Sequence, residues 1–176
     1  MLRSLIALLA VTSASALAEA KPVAFVIDND LGGWMAEYET QRDIMYGSKV
    51  IIDGVCLSSC TMFLRSDYAL DVCITSRALF GFHMPFSLLD GKPVIDPSAA
   101  HRMNILWHAE FYDKFPASMQ LLLAGKHIPS AATGDEPAQF YTVAALSLIG
   151  IIPLCAEGWA ETYQVYDKPT IGIPPQ

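Results

Sequence analysis

The stretch GVCLSSC, residues 54 to 60, places Ser58 and Ser59 between two cysteines, and the apolar run ALFGFH ends in His83, twenty-five residues after Ser58. A hydroxyl with an imidazole in reach can perform acyl transfer: the base takes the proton and the oxygen attacks a carbonyl. That chemistry also needs donors for the oxyanion that forms. Ser58 falls where an apolar strand gives way to a helix start, and there main-chain N–H groups point outward without an intrahelical partner. The Ser59 amide is one such donor, and the turn at Gly32 and Gly33 can offer a second, because adjacent glycines let the backbone approach a ligand closely. A third group must orient the imidazole. Asp135, in the polar loop before the last apolar segment, is the acid chosen for that role.

Each of these residues also has an ordinary use. Serines at helix starts commonly cap. A histidine ending an apolar strand commonly satisfies a structural hydrogen bond, and loop acids such as Asp135 are commonly solvated.

The elements that must position these groups alternate along the chain. VAFVID (23 to 28) has the length and composition of a buried strand, and DNDLGG, overlapping its end, has the chemistry to turn it. Residues 34 to 47 follow as a helix with Trp34, Tyr38 and Met45 near one face and Gly47 as its stop. KVIID (49 to 53) is a second strand, 58 to 66 a short helix, and LDVCIT and ALFGFH two further strands. Strand, helix and strand in this order predict an α/β fold with a parallel sheet and right-handed crossovers. A nine-residue helix advances about 13 Å, which the return strand recovers at about 3.3 Å per residue, so His83 is expected level with Ser58.

Beyond His83, PFSLLDGKPVIDP reads as a loop. Pro97 then opens a helix to about residue 114, with Met103, Leu106, Trp107 and Phe111 on one stripe that covers the core. Pro116 starts another helix that stops at Gly125. TVAALSLIG (142 to 150) reads as a last helix with a threonine cap and a glycine stop. The proline-rich end, 166 to 176, is expected to lie extended or disordered.

Arg3, the apolar stretch from Leu5 to Val11 and Ala16-Leu17-Ala18 have the form of a secretory signal peptide cleaved after residue 18. Thr12, Ser13 and Ser15 interrupt the run too early for a retained anchor, which needs about 18 apolar residues. No later segment is long enough for a stable membrane span. The expectation is a periplasmic or secreted protein with one domain, residues 19–165. Losing Arg3 takes the net charge from −7 to −8. With no basic run, nucleic acid is not an expected partner.

Export changes how the cysteines are read. Cys56, Cys60, Cys73 and Cys155 are disulfide candidates, with three possible pairings, and Cys60 with Cys73 is the preferred one. A zinc site is disfavoured because Cys56 and Cys60 lack a nearby second pair and the histidines at 83, 101, 108 and 127 are scattered. The expected metal content is none. Ser–His chemistry calls for no cofactor.

GVCLSSC followed by RALFGFHMPF resembles the serine and histidine blocks of the ClpP and crotonase superfamily, above all its small exported members with a C-x-S-x-C motif. The resemblance runs from about residue 23 to 152, where EPAQFYTVAALSLIGII is similar to the family's closing segment. It implies a sheet built of repeated ββα units flanked by helices. It further implies Ser58 as nucleophile, His83 as base, Gly33 and Ser59 amides as the oxyanion hole, and Asp135 as the family's aspartate. Trimers or larger rings are common there, so a homo-oligomer is expected. The family's Asn-Ser-Pro before the diglycine is here Asn29-Asp30-Leu31, and the spacing to the serine is shorter than in the cytoplasmic protease.

Three functions are compatible with this pattern. One is an ATP-independent serine hydrolase, peptidase-like, acting on a peptide or acyl substrate. Another is a silent binding module for the same ligands. The third is an assembly subunit using the Trp107 and Phe111 stripe.

Overall fold

The computed structural model describes residues 20–86, 88–89, 92–93, 97–130 and 139–170. The expected leader, residues 1–18, and Asp135 lie outside them.

Four strands form a wholly parallel sheet: β1 (Val23–Ile27), β2 (Lys49–Ile52), β4 (Asp71–Ile74) and β9 (Gln164–Asp167), in the order β4-β2-β1-β9. The apolar runs of β1, β2 and β4 suit a sheet covered on both faces, whereas β9 is an exposed edge strand. Alternation along β2 divides the burial: Val50 and Ile52 enter the main core, whereas Ile51 joins Ala24 and Cys73 in a smaller cluster on the other face. Helix α1 (Met35–Met45) makes the crossover from β1 to β2 and buries Tyr38, Gln41 and Met45. Trp34 stays 60 % exposed, just before the first turn rather than on the buried face.

A second sheet carries the site. Strand β3 (Val55–Leu57) pairs in parallel with β5 (Leu79–Phe82), and β8 (Tyr141–Ala144) pairs antiparallel on the far side of β5. The two sheets are joined where the chain leaving β1 runs beside β3. There the Asp30 amide donates to the Val55 carbonyl at 2.7 Å, and the Leu57 amide donates to the Asp30 carbonyl at 2.8 Å. The α/β class and the parallel pairing therefore agree with the sequence. The antiparallel β5–β8 contact was not foreseen.

Several local expectations change. Residues 142 to 150 do not form a helix. Their first part is β8, followed by a 3-10 turn over Ala145–Leu148. Val143 is buried opposite Phe80 in the register with β5, so sheet pairing outweighs the apolar pattern that suggested a helix. The segment after Leu57 is a 3-10 helix over Ser58–Leu64, succeeded by a shorter one over Ser66–Tyr68. At the carboxyl end, Tyr166 and Asp167 belong to β9.

A short pair, β6 (Leu88–Leu89) and β7 (Lys92–Pro93), precedes α2 (Pro97–Glu110), and α3 (Ala117–Leu123) starts after Pro116 as read from the sequence. Trp107 and Phe111 are buried, but Leu106 is exposed, so the covering stripe is narrower than the spacing implied. Trp107 and Phe115 meet Phe82 edge-on, at 6.3 and 5.8 Å between ring centres, fixing α2 against the end of β5. A final turn, α4 (Trp159–Thr162), leads into β9. Among the described residues no helix is long and apolar enough to cross a membrane.

The cysteines pair as Cys56–Cys60 and Cys73–Cys155. The expected Cys60–Cys73 bridge is wrong for a reason of sheet geometry. Cys73 shares the face of Ile51, while Cys60 lies in the main core on the opposite side. Two disulfides fit an oxidising compartment.

Candidate active site

Strand β5 leads directly into His83, the candidate base. Gly81 lies opposite Leu57 in the ladder, and a Cβ at Gly81 would come within 2.4 Å of the Leu57 side chain and 3.1 Å of the Phe140 ring. The missing side chain thus lets Phe140 close over the strand and meet the His83 ring edge-on at 5.1 Å. Phe82, the preceding residue, is locked by Trp107 and Phe115. His83 is held between these contacts and Phe86, whose ring centre lies 5.6 Å away, and is itself buried.

Strand β3 carries the nucleophile candidate. Ser58, the residue after it, has φ of 54°, in the left-handed region that residues with a Cβ seldom adopt. The turn after Asp30 packs against it: a Cβ on Gly32 would lie 2.5 Å from the Ser58 Cβ and 2.9 Å from the Leu57 carbonyl oxygen, and Gly32 has φ of 90°. Only glycine fits there. The cap position of the following 3-10 helix falls on Leu57, and Ser58 is its first residue. The hydroxyl is directed to the imidazole.

Ser58 Oγ and His83 Nε2 are 2.7 Å apart. His83 Nδ1 lies 2.7 Å from the Met84 carbonyl oxygen. A carbonyl can only accept, so Nδ1 carries the proton and Nε2 presents its lone pair to the Ser58 hydroxyl, the arrangement a general base requires. Burial pushes the His83 pKa below the ordinary imidazole value of 6.5, with the Met84 hydrogen bond acting in the other direction. The ring is therefore neutral at neutral pH. Met84 is itself tethered, its amide donating to the Pro129 carbonyl at 2.8 Å.

The glycine turn is fixed by its own contacts. Asp30 Oδ1 accepts from the Gly32 amide at 2.9 Å and from the Tyr38 hydroxyl at 2.6 Å, while Ser59 Oγ donates to the Gly33 carbonyl at 2.8 Å. The Gly32 amide is thus already engaged. The Gly33 and Ser59 amides have no acceptor among the described residues. Desolvation and the neighbouring Asp30 carboxylate both push the Tyr38 phenol far above its ordinary pKa, so it acts as a donor throughout the accessible range.

Of the site residues read from sequence, Ser58 and His83 meet, and Gly33 and Ser59 are joined beside them. Cys56–Cys60 brackets the serine pair. Asp135 lies outside the described residues, and among those described the Nδ1 partner is the Met84 main chain. Sequence reasoning missed Asp30, Tyr38, Met84 and Lys168. Asp30 was visible as turn chemistry in DNDLGG, but its partners come from distant elements that no local pattern links to it. The described residues hold no cluster of His, Cys, Asp or Glu suited to a metal ion. No family model matches the chain, and no curated protein matches it.

Proposed function

We propose that the protein is an exported, ATP-independent serine hydrolase of the peptidase or acyl-hydrolase kind, with a fold of the ClpP and crotonase type. The observation that carries this reading is the 2.7 Å contact between Ser58 Oγ and a buried His83 Nε2 whose tautomer is set by Met84. On attack, the Ser58 proton passes to Nε2 as Oγ bonds to the carbonyl carbon. The carbonyl π electrons move to oxygen, and the Gly33 and Ser59 amides are the assigned donors to that oxyanion. Collapse expels the leaving group, which takes the proton from His83, and water repeats the sequence to release the acid. The left-handed Ser58 and the close-packed Gly32 support the reading, since strain of this kind collects at working sites. The paired disulfides are consistent with export.

One observation favours the silent binding module instead: the described partner of Nδ1 is a neutral carbonyl, which stabilises an imidazolium less than a carboxylate would. A fluorophosphonate probe separates the two. Labelling of the folded mature protein at Ser58, lost in His83→Ala, is expected for the hydrolase. Folded protein that takes no label, yet is stabilised by peptide or acyl ligands in both wild type and Ser58→Ala, would replace it with the binding module.

A further inference from the structure

Lys168 stands 138 residues from Asp30 in sequence, yet its Nζ lies 2.5 Å from Asp30 Oδ2. The Asp30 side chain is 7 % exposed and Lys168 22 %, so this pair is sheltered from solvent. The same ammonium lies 3.4 Å from the Tyr38 hydroxyl and 4.6 Å from the centre of its ring. The two Asp30 oxygens are therefore divided: Oδ1 takes the Gly32 amide and Tyr38, and Oδ2 takes Lys168.

Lys168 is delivered by the backbone. It directly follows β9, its amide donates to the Val26 carbonyl at 3.0 Å, and the next carbonyl, of Pro169, accepts from Gln41 Nε2 at 2.9 Å. Gln41 and Tyr38 both project from α1, which begins just after the glycine turn. The carboxyl-terminal strand, the first helix and the turn are thereby tied at one carboxylate. If Lys168 were apolar, Asp30 would keep a charge in a sheltered position with only neutral donors, and would be drawn toward water.

We infer that Lys168 is a positioning residue for the candidate oxyanion turn: by holding Asp30, it fixes the Gly32–Gly33 peptide against Ser58. The inference rests on the hydrolase reading for its catalytic meaning, though not for its geometry. Lys168 need not touch substrate. Its effect passes through Asp30 to the Gly32 amide, and so to the direction of the peptide that carries the Gly33 N–H.

Two measurements on the mature protein test this independently. Amide hydrogen exchange of Gly32 is compared in wild type, Lys168→Met, Lys168→Arg and Tyr38→Phe, with β2 amides as an internal control. Lys168→Met is expected to raise exchange at Gly32 by about tenfold relative to β2, the scale of one lost charge-assisted hydrogen bond, and Lys168→Arg to restore most of it. Fluorophosphonate labelling should show a matching drop of about tenfold in the maximal rate with little change in half-saturating probe, since the contact acts on the oxyanion and not on probe binding.

Unchanged Gly32 exchange in Lys168→Met overturns the inference. So does an equal rise at Gly32 and in β2, which would mark general loosening. If Lys168→Met does not fold, Tyr38→Phe, which removes one hydroxyl from the same carboxylate, must reproduce the selective rise at Gly32, and its failure is equally decisive. Selective exchange at Gly32 without any labelling of wild type would sink the hydrolase reading and leave the clamp standing.

Discussion

Ser58 adopts a backbone conformation that costs a residue with a Cβ about 1–2 kcal/mol, and its hydroxyl is turned toward His83. Strain and function are therefore opposed at one position. Replacing Ser58 by glycine should remove the strain along with the hydroxyl, whereas alanine removes the hydroxyl alone. Denaturant titration is expected to find Ser58→Gly more stable than Ser58→Ala by about 1 kcal/mol, with both inactive toward the probe. Equal stabilities would mean that the left-handed serine is not strained. At His83 the expectation concerns pH. Burial favours the neutral ring, so the acid limb of the labelling rate should lie below the ordinary imidazole value of 6.5, with the rate flat from there toward neutrality. A limb above 6.5 would show that the imidazolium is stabilised by a charged partner. Ser58 and His83 were legible in sequence as residues that each end a short apolar run, but the route between them was not: the expected single helix is two 3-10 turns, the expected return strand β4 joins the other sheet, and the parallel pairing of β3 with β5 is what brings the two side chains level. The Met84 carbonyl was not legible, since a main-chain acceptor leaves no trace in residue type.

At the scale of elements, the two disulfides differ in what they constrain. Cys73–Cys155 closes a loop of 82 residues and ties β4 to the segment before α4, while Cys56–Cys60 spans four residues around the serines. Chain-entropy arguments give about 4.5 kcal/mol for the long loop and about 2 kcal/mol for the short one. Cys73→Ala/Cys155→Ala should thus lower the melting temperature more than Cys56→Ala/Cys60→Ala, and the latter should depress Ser58 labelling out of proportion to its loss of stability. Labelling that merely tracks the folded fraction in both variants would argue that the short bridge has no part in the site. The preferred sequence pairing failed because cysteine spacing says nothing about which sheet face a strand residue presents. The same limit explains β8: an apolar run of nine residues suits helix or strand, and only the exposed edge of β5 decides between them. Strands β1, β2, β4 and β5 and helices α1 to α3 were legible since their composition, length and punctuation agree.

For the molecule as a whole, three groups that titrate between neutral and acid pH act in one direction. The His83 pKa is lowered by burial. Hydrogen bonds from Arg77 to Asp53 and from Arg65 to Asp67 hold those carboxyls below their ordinary 3.8. In each case the folded state binds its proton less readily than the unfolded chain does, so these contributions are present above the ordinary pKa and disappear as pH falls through the folded value. Denaturation midpoints should accordingly decline as pH falls below 6.5 through His83 and further below 3.8 through the carboxyls. A midpoint that rises on acidification would contradict those assignments. The parallel order of the sheet followed from alternating elements, but the meeting of the two sheets at Asp30 did not, being a long-range contact without a local signature. That order has a bearing on biosynthesis. Since β9 is the outer neighbour of β1 and Lys168 reaches Asp30 in the glycine turn, a nascent chain still missing these residues has neither a finished sheet nor a tethered turn, and its first helix must wait for the last strand.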